Sequence, residues 1–508
     1  MPPTPRAPLV VACLVAAVAI GWRLVDAADW PGAAYPSLQY ESALAARTVW
    51  LAADARARTP EREQWLHSNR TNYITSPPFL PGLVAAVYAA TGDEIPWVSH
   101  VFMAVFWVGG GAFVGAAGGR LTGSRWAGVG VFAWLVLCPF GMMISRSFQT
   151  ESLLVFALGG VVWHLARTAP DGTWRRTGRN AVVCGLAALV KPGVLFPPIL
   201  GAYAAMLLPR SVPGGVVRKL LHFAVVAAVV VVPGTVYAWL LLRHHTGRFM
   251  PRLLGELWYY EGIGELAWHV VGPMLGAGLV GVVMAARARV WVPAGLLLGH
   301  AATLAVFTYH AATHDYYQVP LLVITALAAA WPAAWVDRWV QRRGWDRFVP
   351  CVALATAVTY VVVTGKPDIG PWRWLPANRE RLARAAAVRQ VRAERAEAVR
   401  DFVGPGTPVI ELTEGYGYPL RFYGWVDAVS WPTSGSQFYM EQVAGGEWKF
   451  SADAFLADLT KSGPSHFVVA YPAEWAEQAP LRAALARYGP PKEPVPGVLI
   501  YTLRPQPP

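Results

Sequence analysis

Apolar stretches long enough to span a bilayer, or nearly so, recur from residue 7 to about residue 365. The pattern predicts about eleven spans, near 7–25, 96–118, 126–144, 150–166, 181–191, 193–209, 220–242, 266–286, 290–308, 316–336 and 348–365. Two kinds of link alternate between them. Links 120–125, 167–179, 210–219, 287–289 and 338–347 are rich in Arg; the others carry isolated Glu, Lys, His and Tyr at segment mouths. Under the positive-inside rule the Arg-rich links face the cytoplasm, which leaves Glu41, Arg146, Glu151, Lys191, Glu261, His314 and Tyr317 on the opposite side. Ionisable groups at one rim of a helix bundle are costly to keep there, and they point to a site.

The stretch 181–209 decides the register of the topology. Arg175, Arg176 and Arg179 precede it and Arg210, Arg218 and Lys219 follow it, so two crossings meeting near Lys191-Pro192-Gly193 keep every cluster inside. One crossing would invert all that follows, leaving only Arg243, Arg248 and Arg252 to compensate. The first of the two crossings is only about 16 Å long at ~1.5 Å per residue, too short to span the core alone. Lys191 is therefore expected at the tip of a short hairpin, in a dent open to the outer side.

Residues 26–95 form a long first outer loop. Leu38, Ala45, Val49 and Ala52 show helical spacing over Ser37 to Ala55, read as an amphipathic helix on the membrane interface. Pro77, Pro78 and Pro81 start a second apolar helix, through Tyr88. After about Lys366 the composition shifts: Asn378 to Phe402 is a charged helix, and β-like runs follow at Val409–Leu412, Phe422–Val426, His466–Ala470 and Val498–Leu503, with helical runs near 451–460 and 474–488. The expected fold class is an α-helical polytopic membrane protein: a transmembrane domain over 1–365, with interfacial helices in its first outer loop, and a small α/β domain over 366–508. By parity of crossings the α/β domain lies outside the membrane on the periplasmic side, with the N-terminus cytoplasmic.

Composition supports this class. Of 508 residues 55% are hydrophobic and only 15% charged, too apolar for a soluble protein, and 24 Trp suit two membrane–water interfaces. The net charge of +12 lies in short links with no basic, aromatic-interleaved stripe, so it fits topology and anionic lipid rather than nucleic acid. Cys13, Cys138, Cys184 and Cys351 are far apart in apolar runs, giving neither a zinc site nor a disulfide framework. The first apolar run is longer than a signal-peptide core and reads as an uncleaved span.

Each candidate residue has a plain alternative. Glu41, after Gln39 and Tyr40, suits a base at a membrane-surface helix, or belongs to a solvated face. Arg146 and Glu151 suit a phosphate and an acceptor contact, or pair with each other. Lys191 before Pro192 is a point charge for a phosphate, or a snorkelling lysine. His310, His314, Asp315, Tyr316, Tyr317 and Gln318 cluster at one mouth; the histidine spacing suits a metal, but no third ligand is apparent and none is assigned. Hydrogen bonding to a sugar phosphate and an aromatic belt are the two readings of the tyrosines.

The order of these motifs resembles the bacterial GT-C-type membrane glycosyltransferases, specifically the family 39-like group that includes protein O-mannosyltransferases and lipid A aminoarabinose transferases. Gln39-Tyr40-Glu41-Ser42-Ala43-Leu44-Ala45-Ala46-Arg47 is similar to the family's first-loop motif, and Pro78-Phe79-Leu80-Pro81 to its Pro-Leu-Tyr-Pro element. Arg146 through Glu151 resembles a run ending in Pro-Asp, Gly185 through Pro192 resembles Gly-Leu-Ala-x-Leu-x-Lys-Pro, and His314-Asp315-Tyr316-Tyr317-Gln318-Val319-Pro320 is close to His-Glu/Asp-Tyr-Tyr-Gln-Leu-Pro. The resemblance covers about residues 8–365. Glu stands at 41 and 151 where Asp is usual, Leu38 where Arg is common, and Thr150 where Pro is usual.

The resemblance implies an inverting transfer of a sugar from a polyprenyl-phosphate donor, on the periplasmic side, to a lipid, glycan or protein. Glu41 takes the role of catalytic base. Lys191, with Arg146, His314 and Tyr317, would hold the donor phosphate; Gln39, Glu151, Asp315, Tyr316 and Gln318 would hold the acceptor or support the others. No metal or other cofactor is required, because a charge-compensated phosphate is a competent leaving group. Expected partners are the lipid-linked donor and membrane lipids, with no nucleic acid; the sequence leaves the oligomeric state, the sugar and the acceptor open. A transporter or flippase predicts mid-bilayer charges and an internal repeat, and neither is present in the sequence. A non-catalytic binder of the same lipid-linked sugar is the other alternative.

Overall fold

The computed structural model describes residues 7–25, 27, 35–69, 77–168, 173–208, 215–242, 257–344, 376–443, 449–461 and 463–503. The expected span 348–365 and Arg243, Arg248 and Arg252 lie outside the described residues. The chain forms two compact units, one of Met1–Trp30, Thr75–Phe79 and Trp97–Leu375, the other of Pro31–Ile74, Leu80–Pro96 and Pro376–Pro508. This division differs from the 365/366 boundary read from the sequence, because most of the first outer loop packs with the C-terminal domain.

The first unit is helical. Among the described residues, Ala7–Leu24, Val98–Thr122, Val216–Leu240 and Asp315–Arg342 are long and apolar enough to cross a membrane. Arg125–Leu137, Pro192–Leu207 and Val292–Val306 are apolar but shorter. The expected 126–144 span breaks at Pro139, where a second helix, Pro139–Ile144, starts. The expected 266–286 span is a pair, Tyr259–Val271 and Met274–Arg287, bent by 94°. Gly272, at φ 60, and Pro273, which has no N–H to donate, make that corner. Asp315–Arg342 is 78% buried over its most apolar window and forms the centre of the unit; Ala7–Leu24 and Val216–Leu240 are each 17% buried. Their exposed Leu and Val side chains suit a hydrocarbon solvent.

Small residues set the closest helix contacts. A Cβ on Gly299 would lie 2.1 Å from the Pro197 carbonyl oxygen, and one on Gly201 would lie 2.1 Å from that of Gly295. Gly295 and Gly299, four apart, thus let Val292–Val306 press its backbone onto Pro192–Leu207.

In the second unit a four-stranded sheet has the order β2-β1-β3-β4, with β1 at Pro408–Leu412, β2 at Asp427–Ser430, β3 at His466–Val469 and β4 at Leu499–Thr502. β1 pairs parallel with β2 and β3, and β3 antiparallel with β4. Strand alternation sends Ile410, Leu412, Phe467 and Val469 to one face, against Trp431, Leu456, Leu481 and Leu485. Val409, Val468 and Ile500 go to the other, against Ala396 and Val399 of the helix Pro376–Val403 and Leu420. The expected β run at Phe422–Val426 is instead the end of a helix, Tyr418–Gly424, with strand β2 after it. Pro419 near that helix's start and the left-handed Trp425 after it, φ 52, fix its short length.

If the Gly299 contact holds the first unit together, Gly299→Val should lower the thermal midpoint of the purified protein in detergent by several degrees. Gly130→Val, where an added Cβ meets nothing within 4 Å, should leave it unchanged. Equal midpoints for the two variants would contradict this packing.

Candidate active site

Lys191 stands at a helix break that its own sequence writes. The helix Trp174–Ala188 ends, and Pro192 opens the helix Pro192–Leu207. A residue before proline is driven out of helical backbone, and Lys191 has φ −151 and ψ 81. Its carbonyl accepts from the N–H groups of Val194 and Leu195 at 3.1 and 3.0 Å, so it closes the first turn of the new helix.

The Lys191 ammonium donates to Glu151 Oε1 at 2.6 Å, with Glu151 only 2% and Lys191 19% exposed. Glu151 is the first residue of the helix Glu151–Arg167, where the positive end of the macrodipole favours a carboxylate. Glu151 Oε2 is buried with no hydrogen-bond partner among the described residues. Lys191 Nζ lies 4.8 Å from the Tyr316 ring centroid and 5.2 Å from that of Tyr317, where the π faces favour a cation.

His314 completes this cluster. Its ring packs 5.2 Å from Tyr316 and 6.4 Å from Tyr317, stacks at 5.8 Å on His310, and shares a 2.7 Å hydrogen bond through Nδ1 with Thr313 Oγ1. Burial first, and Lys191 in addition, hold His314 below its ordinary pKa against the opposing pull of Asp315. A neutral imidazole is therefore the form on hand near pH 7, a hydrogen-bonding group more than a second cation.

The other sequence candidates in this unit lie differently. Arg146 Nη2 donates to the Val25 carbonyl at 2.7 Å, at the end of the first helix, where Arg23 is buried and bonded to Ser145 Oγ and to the Ala19 and Val136 carbonyls. Gln318 is fully buried and spans from the Ala311 carbonyl to His300, so it fixes the turn Asp315–Gln318.

Glu41 and Gln39 belong to the second unit, on the helix Pro36–Ala53. Gln39, Tyr40, Ala43, Leu44, Ala46, Arg47, Trp50 and Leu51 are buried, while Glu41 and Ser42 are half-buried. The helix cannot roll. Tyr40 donates to or accepts from Tyr423 at 3.3 Å, and its ring packs on Phe422 and Tyr423. Burial, reinforced by Tyr423, raises the Tyr40 phenol well above its ordinary pKa and keeps it protonated.

Arg47, 2% exposed, is the lock on the same helix. Its guanidinium stands 3.9 Å from the Trp425 ring centroid, 4.4 Å from Phe422 and 5.3 Å from Trp65, pairs with Glu94 at 3.0 Å, and donates to the Phe422 carbonyl at 2.9 Å. Arg47 stood in the motif carrying the resemblance without a role. The helix Pro60–Asn69, which supplies Trp65, has its start signal in Pro60 with Glu61 and Glu63 behind it.

The structure thus joins Lys191, Glu151, His314, Tyr316 and Tyr317 in one cluster and holds Glu41 on a rotationally fixed helix. The described residues contain no group of three or more His, Cys, Asp or Glu able to hold a metal.

The arrangement of helices and the small sheet is the fold of the GT-C-type membrane glycosyltransferases, and the chain is a multi-pass membrane protein. It is similar to the crystal structure of ArnT from Cupriavidus metallidurans bound to undecaprenyl phosphate, with a TM-score of 0.57 at 15% identity over 98% of each chain. The apo form of that protein gives 0.52 at 14% identity over 97% of each. The archaeal oligosaccharyltransferase AglB from Archaeoglobus fulgidus, in complex with an inhibitory peptide and a dolichol-phosphate, gives 0.51 at 14% identity, covering 95% of this chain and 72% of that one. No protein-family model matches the sequence, and no curated protein does.

A buried ion pair broken on one side leaves an uncompensated charge. Lys191→Met should therefore cost about 3 kcal/mol of stability, and Lys191→Met with Glu151→Gln should recover most of it. Denaturation of the purified variants measures both; a single variant no less stable than the double would contradict the pairing.

Proposed function

We propose that this protein is an inverting glycosyltransferase that moves a sugar from a polyprenyl-phosphate donor to an extracytoplasmic lipid, glycan or protein acceptor. The observation that carries this reading is Lys191: a cation at the break before the apolar helix Pro192–Leu207, walled by Tyr316 and Tyr317, beside a carboxylate with an oxygen to spare. Such a group suits a phosphate that arrives on a lipid tail through the bilayer. The likeness in fold to a structure holding undecaprenyl phosphate, along nearly the whole of both chains, supports the same donor class.

In the proposed reaction an acceptor hydroxyl or amine attacks the anomeric carbon as the bond from that carbon to the phosphate oxygen breaks. The acceptor proton goes to the Glu41 carboxylate, and the bonding pair leaves with polyprenyl phosphate. Lys191 compensates the charge growing on that phosphate, with Glu151 positioning the ammonium and Tyr317 and neutral His314 offering hydrogen bonds. Asp315 and Tyr316 support this group, Gln318 fixes the turn that carries them, and Gln39 serves the acceptor side. Arg146 contributes positive charge toward the donor phosphate. The reaction needs no cofactor. We place the protein in the inner membrane with its N-terminus cytoplasmic and its C-terminal domain periplasmic, in accord with the Arg-rich links.

Native mass spectrometry of the purified protein with undecaprenyl phosphate tests the donor assignment. The wild type and Glu41→Gln should retain the lipid equally, and Lys191→Met/Glu151→Gln, folded but without the cation, should bind at least about ten-fold more weakly. No uptake by the wild type, or undiminished uptake by the double variant, would overturn the reading.

A further inference from the structure

The second unit contains another place where a ligand fits. From β1 the chain moves to one side to form β2 and then to the other to form β3, with all three strands parallel. The carboxyl ends of β1 and β3 are therefore a topological switch point, where diverging connections leave a crevice. It is lined by Thr413 and Glu414 after β1, Ala470 after β3, Leu420, and Arg392 and Arg395 from the helix Pro376–Val403, and has a volume of about 40 Å³. That is room for a group of a few heavy atoms.

The charge of this crevice is unbalanced, with two guanidinium groups against one carboxylate. Arg392 pairs with Glu414 through Nε at 3.0 Å, and the two side chains are 31% and 43% exposed. An ion pair so open to water is weak and easily exchanged. Arg395 makes no hydrogen bond or ion pair among the described residues, and is half-buried. Gly497, at φ +79, leaves it space: a Cβ there would come within 3.0 Å of Arg395 Nη2. Two further carboxyls lie near: Glu493 accepts from the Gly497 N–H at 2.8 Å without pairing with Arg395, and Glu411, which is buried, accepts from the Thr413 hydroxyl. Burial raises the Glu411 pKa, which favours its neutral form, so that Glu414 is the acidic group in the crevice lining.

We propose that this crevice binds a small oxyanion, a phosphate monoester or a carboxylate, held by Arg395 and by Arg392 after Glu414 is displaced. A planar guanidinium with parallel N–H donors matches the two oxygens of such a group. Glu414 acts as the internal competitor. The proposal is independent of the transfer reaction and uses none of its residues.

The test is calorimetric titration of glycerol 3-phosphate into the full-length protein in phosphatidylcholine nanodiscs, at constant ionic strength held with chloride. Saturable binding is expected. Arg395→Met should weaken it at least about ten-fold without changing the thermal midpoint, and Glu414→Gln should tighten it by freeing Arg392. Nanodiscs containing phosphatidate separate the sources of the ligand: titration of the wild type suppressed by phosphatidate assigns a lipid headgroup, and unchanged titration assigns a soluble anion. No saturable binding to the wild type, wild-type affinity in Arg395→Met, or weaker binding in Glu414→Gln would overturn the site.

Discussion

The ion pair between Lys191 and Glu151 is the constraint on which the arrangement of the first unit's candidate site depends. Two unit charges this far from water are tolerated only together, because either one alone carries a desolvation cost of several kcal/mol. The pair therefore fixes the start of the Glu151–Arg167 helix to the break before Pro192–Leu207. It also aims the ammonium at two tyrosine rings of the next mouth. In the proposed reaction, a lysine already held in this way would lose little freedom when a phosphate arrives, so that charge stabilisation would be preorganised.

The second unit has its own lock in Arg47. A guanidinium stacked against Trp425, Phe422 and Trp65, and paired with Glu94, draws the helix Pro36–Ala53 onto the C-terminal domain. Trp425 can lie under it only because the chain turns through a left-handed backbone there, a conformation an aromatic residue adopts at some cost. Tyr40, on the same helix as Arg47, bonds to Tyr423, so buried groups set the rotation of the helix that carries Glu41. This explains why a long loop of mixed composition behaves as part of a folded domain.

The spans were legible wherever apolar length and terminal signals agreed. Ala7–Leu24, Val98–Thr122, Glu151–Arg167 and Val216–Leu242 start and stop within a few residues of the expected positions, and Lys191-Pro192 marks its break directly. Hydropathy cannot see a corner inside an apolar run, so the 94° bend at Gly272-Pro273 and the break at Pro139 were missed. The run Phe422–Val426 was misread for a related reason: aromatic and β-branched residues favour a strand, but Pro419 and the packing of Phe422 on Arg47 hold the first part as helix. In the site, residue types and their common rim were readable. Which charge pairs with which was not, since Arg146 and Glu151 are near in sequence while Glu151 bonds to Lys191, forty positions away. Arg47 was hidden because its partners come from three separate segments.

In the proposed reaction this chain transfers a sugar from polyprenyl phosphate with Glu41 as the base. The most direct measurement is mass spectrometry of membrane glycolipids and glycans from a knockout complemented with either wild type or Glu41→Gln. Wild type should restore a glycan missing from the knockout, whereas Glu41→Gln should leave it at about 1% or less and let the polyprenyl-phosphate sugar accumulate. Full restoration by Glu41→Gln, or a knockout that loses no glycan and accumulates no lipid-linked sugar, would contradict it.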